Sequence, residues 1–144
     1  SSRTTHGAAE AVAACRMLAA VLSELLGGSD KAAAVSTLSP ALWMSPALQG
    51  IAEGSYQEKT DEEIRGTGYV VDSLEAALWA FWVTDSFEDA VLTAANLGDD
   101  ADTTAAVCGQ LAGARYGADG IPARWLERLA MRDYIETLTE RLTE

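Results

Sequence analysis

Basic residues are scarce in this sequence. Ten Lys and Arg stand against 22 Asp and Glu in 144 residues, a formal net charge of −12. That balance argues against nucleic acid as a partner, because phosphate contacts need clustered Lys and Arg. It argues equally against an anionic membrane surface, and it suits a divalent cation or plain solubility. Cysteine is nearly missing: Cys15 and Cys108 form no CxxC and no Cys/His ligand spacing. Both fall in apolar helical patterns and read as small core residues in a reducing compartment, a single disulfide being the other reading. No apolar run reaches transmembrane length without a charge. No basic-then-apolar leader opens the chain, which starts SSRTTHGAAEAV. Strand-type alternation is lacking too, since Val70-Val71 is the best β-like pair and is too short. These absences leave a cytoplasmic, all-α chain forming one domain over residues 1–144, a size that can bury a core.

What is present is helical periodicity. Ala8 to Leu26 carries apolar residues at Val12, Cys15, Leu18, Ala19, Leu22, Leu25 and Leu26, and Gly27-Gly28 should end that helix. Ser29-Asp30 offers a cap for a helix from Lys31 to about Leu38. Pro40 and Pro46 break the next segment, and residues 47–53 hold one or two turns. The acidic Thr60-Asp61-Glu62-Glu63 has the composition of a helix start, with Glu53 and these acids on a solvated face. From Tyr69 the run YVVDSLEAALWAFWV predicts a helix with Leu74, Leu78, Phe81 and Trp82 on one face, Asp72-Ser73 being an alternative cap. Ser86 predicts the cap of a helix from Phe87 to about Asn96, with Glu88 and Asp89 in its first turn. Further helices are expected from about Asp102 to Tyr116, after Ile121, and from Met131 to about Leu142. Trp43, Trp79, Trp82 and Trp125 read as packing residues.

The stretch Asn96-Leu97-Gly98-Asp99-Asp100-Ala101-Asp102-Thr103 gathers three carboxylates within four positions at a helix start. Asp102 followed by Thr103 reads as an N-cap. A cap needs only one side-chain oxygen, and adjacent carboxylates repel, so a bound cation would explain the surplus. Carboxylates plus a hydroxyl are hard donors, suited to Mg²⁺, Mn²⁺ or Ca²⁺ rather than zinc. The spacing is not that of an EF-hand, whose loop glycine is replaced here. The helix after it carries Gly109, Gly113 and Gly117 at four-residue spacing, which suggests very close approach to a neighbouring helix. On composition alone, His6 is a surface histidine and Tyr69 a packing residue.

The segment NLGDDADTTAAVCGQLAGARYG, followed by IPARW, resembles the C-terminal signature of the ADP-ribosylglycohydrolases, the dinitrogenase-reductase-activating type included. Gly68-Tyr69-Val70-Val71 before LEAALWAF, and Thr5-His6-Gly7, resemble two earlier segments of that family, in family order. The resemblance implies an all-α multi-helix bundle with a binuclear Mg²⁺ or Mn²⁺ centre. It also implies hydrolysis of the glycosidic bond between ADP-ribose and an acceptor. By position, Asp100, Asp102 and Thr103 are the expected metal ligands. His6, Gly68, Tyr69, Asn96 and Gly98 are the expected contacts to ADP-ribose or an ADP-ribosylated substrate. Asp99 stands where many members have glycine and is not assigned as a ligand.

The family's N-terminal Gly-Asp-Ala-x-Gly and Thr-Asp-Asp-Thr segments have no counterpart here. The sequence therefore reads as the C-terminal half of such a bundle, lacking the N-terminal part. No catalytic acid or base is assigned in it, and it is expected to be inactive as an isolated chain. Pairing with an N-terminal half, or homodimerisation through an exposed apolar patch, is the matching expectation. The alternative is a non-catalytic, crystallin-like structural or ligand-binding helical domain of the same fold.

Overall fold

The computed structural model describes residues 2–40 and 45–143; Trp43 therefore lies outside the described residues. Among those residues the regular structure is eight α-helices and four short 3₁₀ turns, with no strand. Helix α1 spans Ala9–Leu26, α2 Lys31–Ser36 and α3 Pro46–Ala52. Helix α4 spans Val70–Val83, α5 Phe87–Asn96 and α6 Ala101–Tyr116. Two more, α7 over Ala123–Leu126 and α8 over Arg132–Thr143, complete the set. The all-α expectation is met.

Helix α4 is central because it is apolar nearly all round. It buries nine of its fourteen residues, from Val71 to Phe81. Helices α4, α5 and α6 pack on one another, α1 lies against α4 and α6, and α2 lies against α1. The buried positions of α1, namely Ala14, Met17, Val21 and Leu25, repeat at three- and four-residue steps and form the stripe it turns to the core. Phe81, Met17, Leu78, Leu111 and Val21 are fully buried. Removing each such side chain from water stabilises the fold by about 1.5–3 kcal/mol. Leu74, Leu78 and Phe81 are buried as the periodicity predicts, and Trp82 is half-buried at the edge.

Several local expectations are corrected. Pro46 does not break a helix: it occupies the first turn of α3, where its missing N–H costs nothing. Helix α2 ends at Ser36, short of Leu38. Asp72 and Ser73 do not cap α4, which already begins at Val70, so both lie inside it. Cys15 is exposed, whereas Cys108 is buried with its thiol against the Ala90 carbonyl at 3.4 Å; neither is in a disulfide. Burial pushes the Cys108 thiol up to about 12. The glycine stripe is looser than expected. A Cβ on Gly109 would sit 3.7 Å from Val91 Cγ2, and one on Gly113 3.9 Å from Phe87 Cε2, both ordinary contacts. Gly117 does not belong to the stripe: with φ of 70° it ends α6 in a backbone region that favours glycine.

Polar side chains tie the helix ends. Lys31, at the start of α2, reaches the C-terminus of α4 and donates to the Phe81 carbonyl at 2.9 Å and to the Thr84 carbonyl. A cation there satisfies orphan carbonyls and opposes the negative end of the helix dipole. The Trp79 indole donates to the Lys59 carbonyl at 2.9 Å, and the Lys59 ammonium pairs with Glu75 at 2.7 Å. Helix α8 stands apart from this core. Residues 133–142 are exposed, with Tyr134, Ile135, Leu138 and Leu142 on its surface.

Candidate functional site

The acidic stretch forms the turn between α5 and α6. Asn96 closes α5, and Gly98 and Asp99 both take positive φ, 75° and 57°. Left-handed backbone at Asp99 accounts for glycine being at home there, since only Gly, and less readily Asp or Asn, adopts it cheaply. Asp100 is the N-cap residue of α6 by position, yet its side chain makes no capping bond. Asp102 is the second residue of the helix and not its cap, which corrects the reading from sequence. The Asp102 and Thr103 side chains are exposed. Among the described residues no protein donor bonds the Asp100 or Asp102 carboxylate, so their oxygens remain available.

The loop before α4 locks onto this turn. The Asp100 N–H donates to the Gly66 carbonyl at 2.8 Å. A Cβ on Gly66 would meet Thr104 Oγ1 at 3.1 Å, so a side chain there would press on the buried Thr104. Thr104 is fully buried, and its hydroxyl donates back to the Asp100 carbonyl at 3.0 Å. Two residues beyond Gly66, a Cβ on Gly68 would stand 3.3 Å from Asp100 Oδ2, which places that carboxylate against the Gly68 backbone.

His6 arrives from the segment before α1, exposed, with Nδ1 3.0 Å from the Thr5 hydroxyl. His6, Gly68 and Thr103 all line one cavity of about 380 Å³ between α1, α4 and α6. Its deeper wall is apolar, built by Ala14, Leu18, Leu74 and Val107, with Cys15 and Ser73 beside them. Three segments far apart in sequence thus converge on one opening. Tyr69, Asn96 and Gly98 lie outside that wall. Tyr69 is half-exposed just beyond Gly68, while Asn96 and Gly98 shape the turn behind Asp100.

Sequence reasoning missed four residues that build this corner. Gly66 and Thr104 clamp the turn, and Glu10 and Thr67 hold Tyr69: its hydroxyl donates to Glu10 and its N–H to Thr67 Oγ1 at 3.1 Å. The RGTG run was the one visible signal, two glycines flanking a threonine before a helix. Chemically, the corner offers two free carboxylates and a hydroxyl, a donor set that fits a hard cation. It is a partial shell, because no group of three or more His, Cys, Asp or Glu gathers around one point among the described residues.

A profile of the ADP-ribosylglycohydrolase family matches residues 1–144. The chain is 49% identical over 142 residues to an ADP-ribosylarginine hydrolase of Pseudomonas putida, covering 98% of this chain and 38% of that protein. A second ADP-ribosylarginine hydrolase, from Serratia proteamaculans, is 48% identical over 141 residues, with the same two coverages. An ADP-ribosyl-[dinitrogen reductase] glycohydrolase of Rhodospirillum rubrum is 33% identical over 91% of this chain and 42% of its own length. A solved structure described as an ADP-ribosylglycohydrolase-related protein complex superposes with a TM-score of 0.88 at 45% identity, covering 95% of this chain and 48% of that one. The chain thus spans well under half the length of the curated relatives it matches.

Proposed function

The chain belongs to the ADP-ribosylglycohydrolase family, and from that premise we propose that it carries one limb of a metal-dependent site for cleaving the glycosidic bond between ADP-ribose and an acceptor. The observation that supports this reading best is the convergence of His6, Gly68 and Thr103 on one cavity, with the Asp100 carboxylate against Gly68. The family is generally metal-dependent. Asp100, Asp102 and Thr103 are the residues that would hold Mg²⁺ or Mn²⁺ here. When bound, such a cation supplies positive charge to ribose hydroxyls and to an attacking water. His6 reaches the cavity edge, where a ribose hydroxyl can take a hydrogen bond from its ring. The bare Gly68 backbone leaves room for a sugar or phosphate beside Asp100, and the Tyr69 ring offers an apolar wall with a polar tip. Asn96 and Gly98 set the curvature of the turn.

Three oxygens do not complete an octahedral shell. In this reading the centre is binuclear when complete, and an N-terminal half or a second copy supplies the remaining ligands. The isolated chain then binds metal weakly and does not hydrolyse substrate. ADP-ribosylated arginine is the first substrate to try, as the linkage named for the Pseudomonas and Serratia relatives.

Calorimetric titration of Mg²⁺ and ADP-ribose into the wild-type chain and into Asp100→Asn/Asp102→Asn tests the site. Mg²⁺-dependent ADP-ribose binding that the double substitution abolishes is the expected result. Heat that is identical in both proteins would remove the carboxylates from the site. No heat in either would leave the non-catalytic, structural reading of the domain standing. Robust turnover of ADP-ribosylated arginine by the purified chain would overturn the incomplete-site part of the proposal.

A further inference from the structure

Glu10 sits in the first turn of α1 and is not part of the cavity wall. Its two carboxylate oxygens serve two distant parts of the chain. One accepts from Ser45 Oγ at 2.5 Å, just before α3; the other accepts from the Tyr69 hydroxyl, just before α4. Both hydrogen bonds favour the charged carboxylate and hold Glu10 below the usual carboxylate range, the Ser45 bond contributing most. The reciprocal effect raises the Tyr69 phenol above its ordinary value, chiefly through its bond to Glu10. Tyr69 is pinned at its other end too: its N–H donates to Thr67 Oγ1 at 3.1 Å, and that hydroxyl donates to Asp72 Oδ2 at 2.8 Å.

This bridge is not needed to close the core. Tyr69 is 49% exposed, and Glu10 is absent from the buried set. A half-exposed phenol without a partner would sample several rotamers and would lose that freedom on binding a ligand. The bridge instead ties together two segments that each give a residue to the cavity wall. His6 lies shortly before Glu10 in the chain, Gly68 is the neighbour of Tyr69, and both His6 and Gly68 line the cavity. We infer that Glu10 is a positioning residue whose carboxylate holds the Tyr69 ring next to Gly68, beside the cavity, before ADP-ribose arrives. The inference rests on the reading of Tyr69 as part of the ADP-ribose site.

The test uses ¹³C-labelled tyrosine and NMR on the whole 144-residue chain. It has four tyrosines, and the Tyr69 signal is the one that Tyr69→Phe removes. In the wild type the Tyr69 phenol should ionise above an ordinary tyrosine, and Glu10→Gln and Glu10→Ala should bring it down. With Mg²⁺ present, Glu10→Ala should weaken ADP-ribose binding by between about two- and ten-fold, the order expected when one ordered side chain is set free. Glu10→Gln keeps an acceptor for the phenol and should recover part of that loss. In a Tyr69→Phe background, Glu10→Ala should cost nothing further. A Tyr69 titration that ignores both Glu10 substitutions would overturn the inference. So would a loss of affinity on Glu10→Ala that is equal in the wild-type and Tyr69→Phe backgrounds, which would make Glu10 a general structural tie. If the wild type binds no ADP-ribose, the site reading fails instead, and the phenol titration still decides whether Glu10 fixes the ring.

Discussion

Helices α5 and α6 both begin in acidic sequence, and they use their acids differently. At the start of α5, Ser86 accepts from the Asp89 N–H at 3.0 Å and donates to the Asp89 carboxylate at 2.7 Å. Glu88 pairs with Arg124 of α7. Both acids of that first turn are occupied in holding structure together. At the start of α6, the Asp100 side chain caps nothing, Asp102 and Thr103 face solvent, and the Asp100 backbone is held by the Gly66 carbonyl and the Thr104 hydroxyl. Asp30, capping α2 through the Ala33 N–H at 2.8 Å, behaves like the α5 acids. Acidic composition alone is therefore uninformative. What marks a candidate ligand set is carboxylate oxygen that takes no part in holding the helix start.

The contrast between the two starts is sharpest when each is stripped in turn. Asp100→Asn/Asp102→Asn should weaken Mg²⁺ binding by more than about tenfold, about 1.4 kcal/mol, with the melting temperature held or raised as repulsion is relieved. The same removal at α5 should leave Mg²⁺ binding untouched. Next in size, Gly66→Val pushes a branched side chain into Thr104 and should destabilise by about 1–3 kcal/mol in urea unfolding. It should also loosen the Asp100 turn, seen as faster exchange of the Asp100 amide. Ser86→Ala removes a working cap and should cost about 1 kcal/mol. Asp102→Ala, by contrast, loses only a helix-dipole interaction and should stay within about 0.5 kcal/mol; a loss as large as that of Ser86→Ala would erase the distinction between the two starts. The smallest effect is local. Iodoacetamide should modify Cys15 in the native protein and reach Cys108 only after unfolding, and ADP-ribose should slow the Cys15 reaction because that thiol lines the cavity.

The buried thiol also sets a pH signature. Burial raises the folded Cys108 thiol to about 12 from an ordinary value of 9.0. The unfolded state therefore loses its proton first as pH rises. Stability from this group is full below about pH 9 and is lost between about 9 and 12. Urea midpoints that fall across that window in the wild type, and fall less in Cys108→Ala, would confirm the assignment.

Helix bounds were legible where local chemistry decides them. Ser86 announced α5, Gly27 ended α1, and the apolar run of α4 announced a buried helix. Misjudged positions fall where backbone geometry or tertiary packing overrides local preference. Asp100 rather than Asp102 takes the cap position of α6, where its N–H is held by the Gly66 carbonyl from a loop far earlier in the sequence. Pro46 starts a helix that a reading of isolated prolines would break. Cys15 sits on the apolar side of a helical pattern, yet it faces a cavity instead of the core. At the candidate site, residue types near the DDADT run and the GY pair could be read off the sequence. Their support by Gly66, Thr67 and Glu10 could not, since each acts across a fold that spacing does not reveal.

The rarity of lysine has a practical side. The chain has two, Lys31 and Lys59, and the fold engages both: one with the closing carbonyls of α4, the other with Glu75. Amine-directed chemistry on this protein, whether a cross-linker, a dye ester or surface immobilisation, should therefore strike the partly exposed Lys59 well before the more buried Lys31. Acylation at Lys31 would report that α2 has already released α4, so the ratio of labelling at the two lysines serves as a gauge of opening.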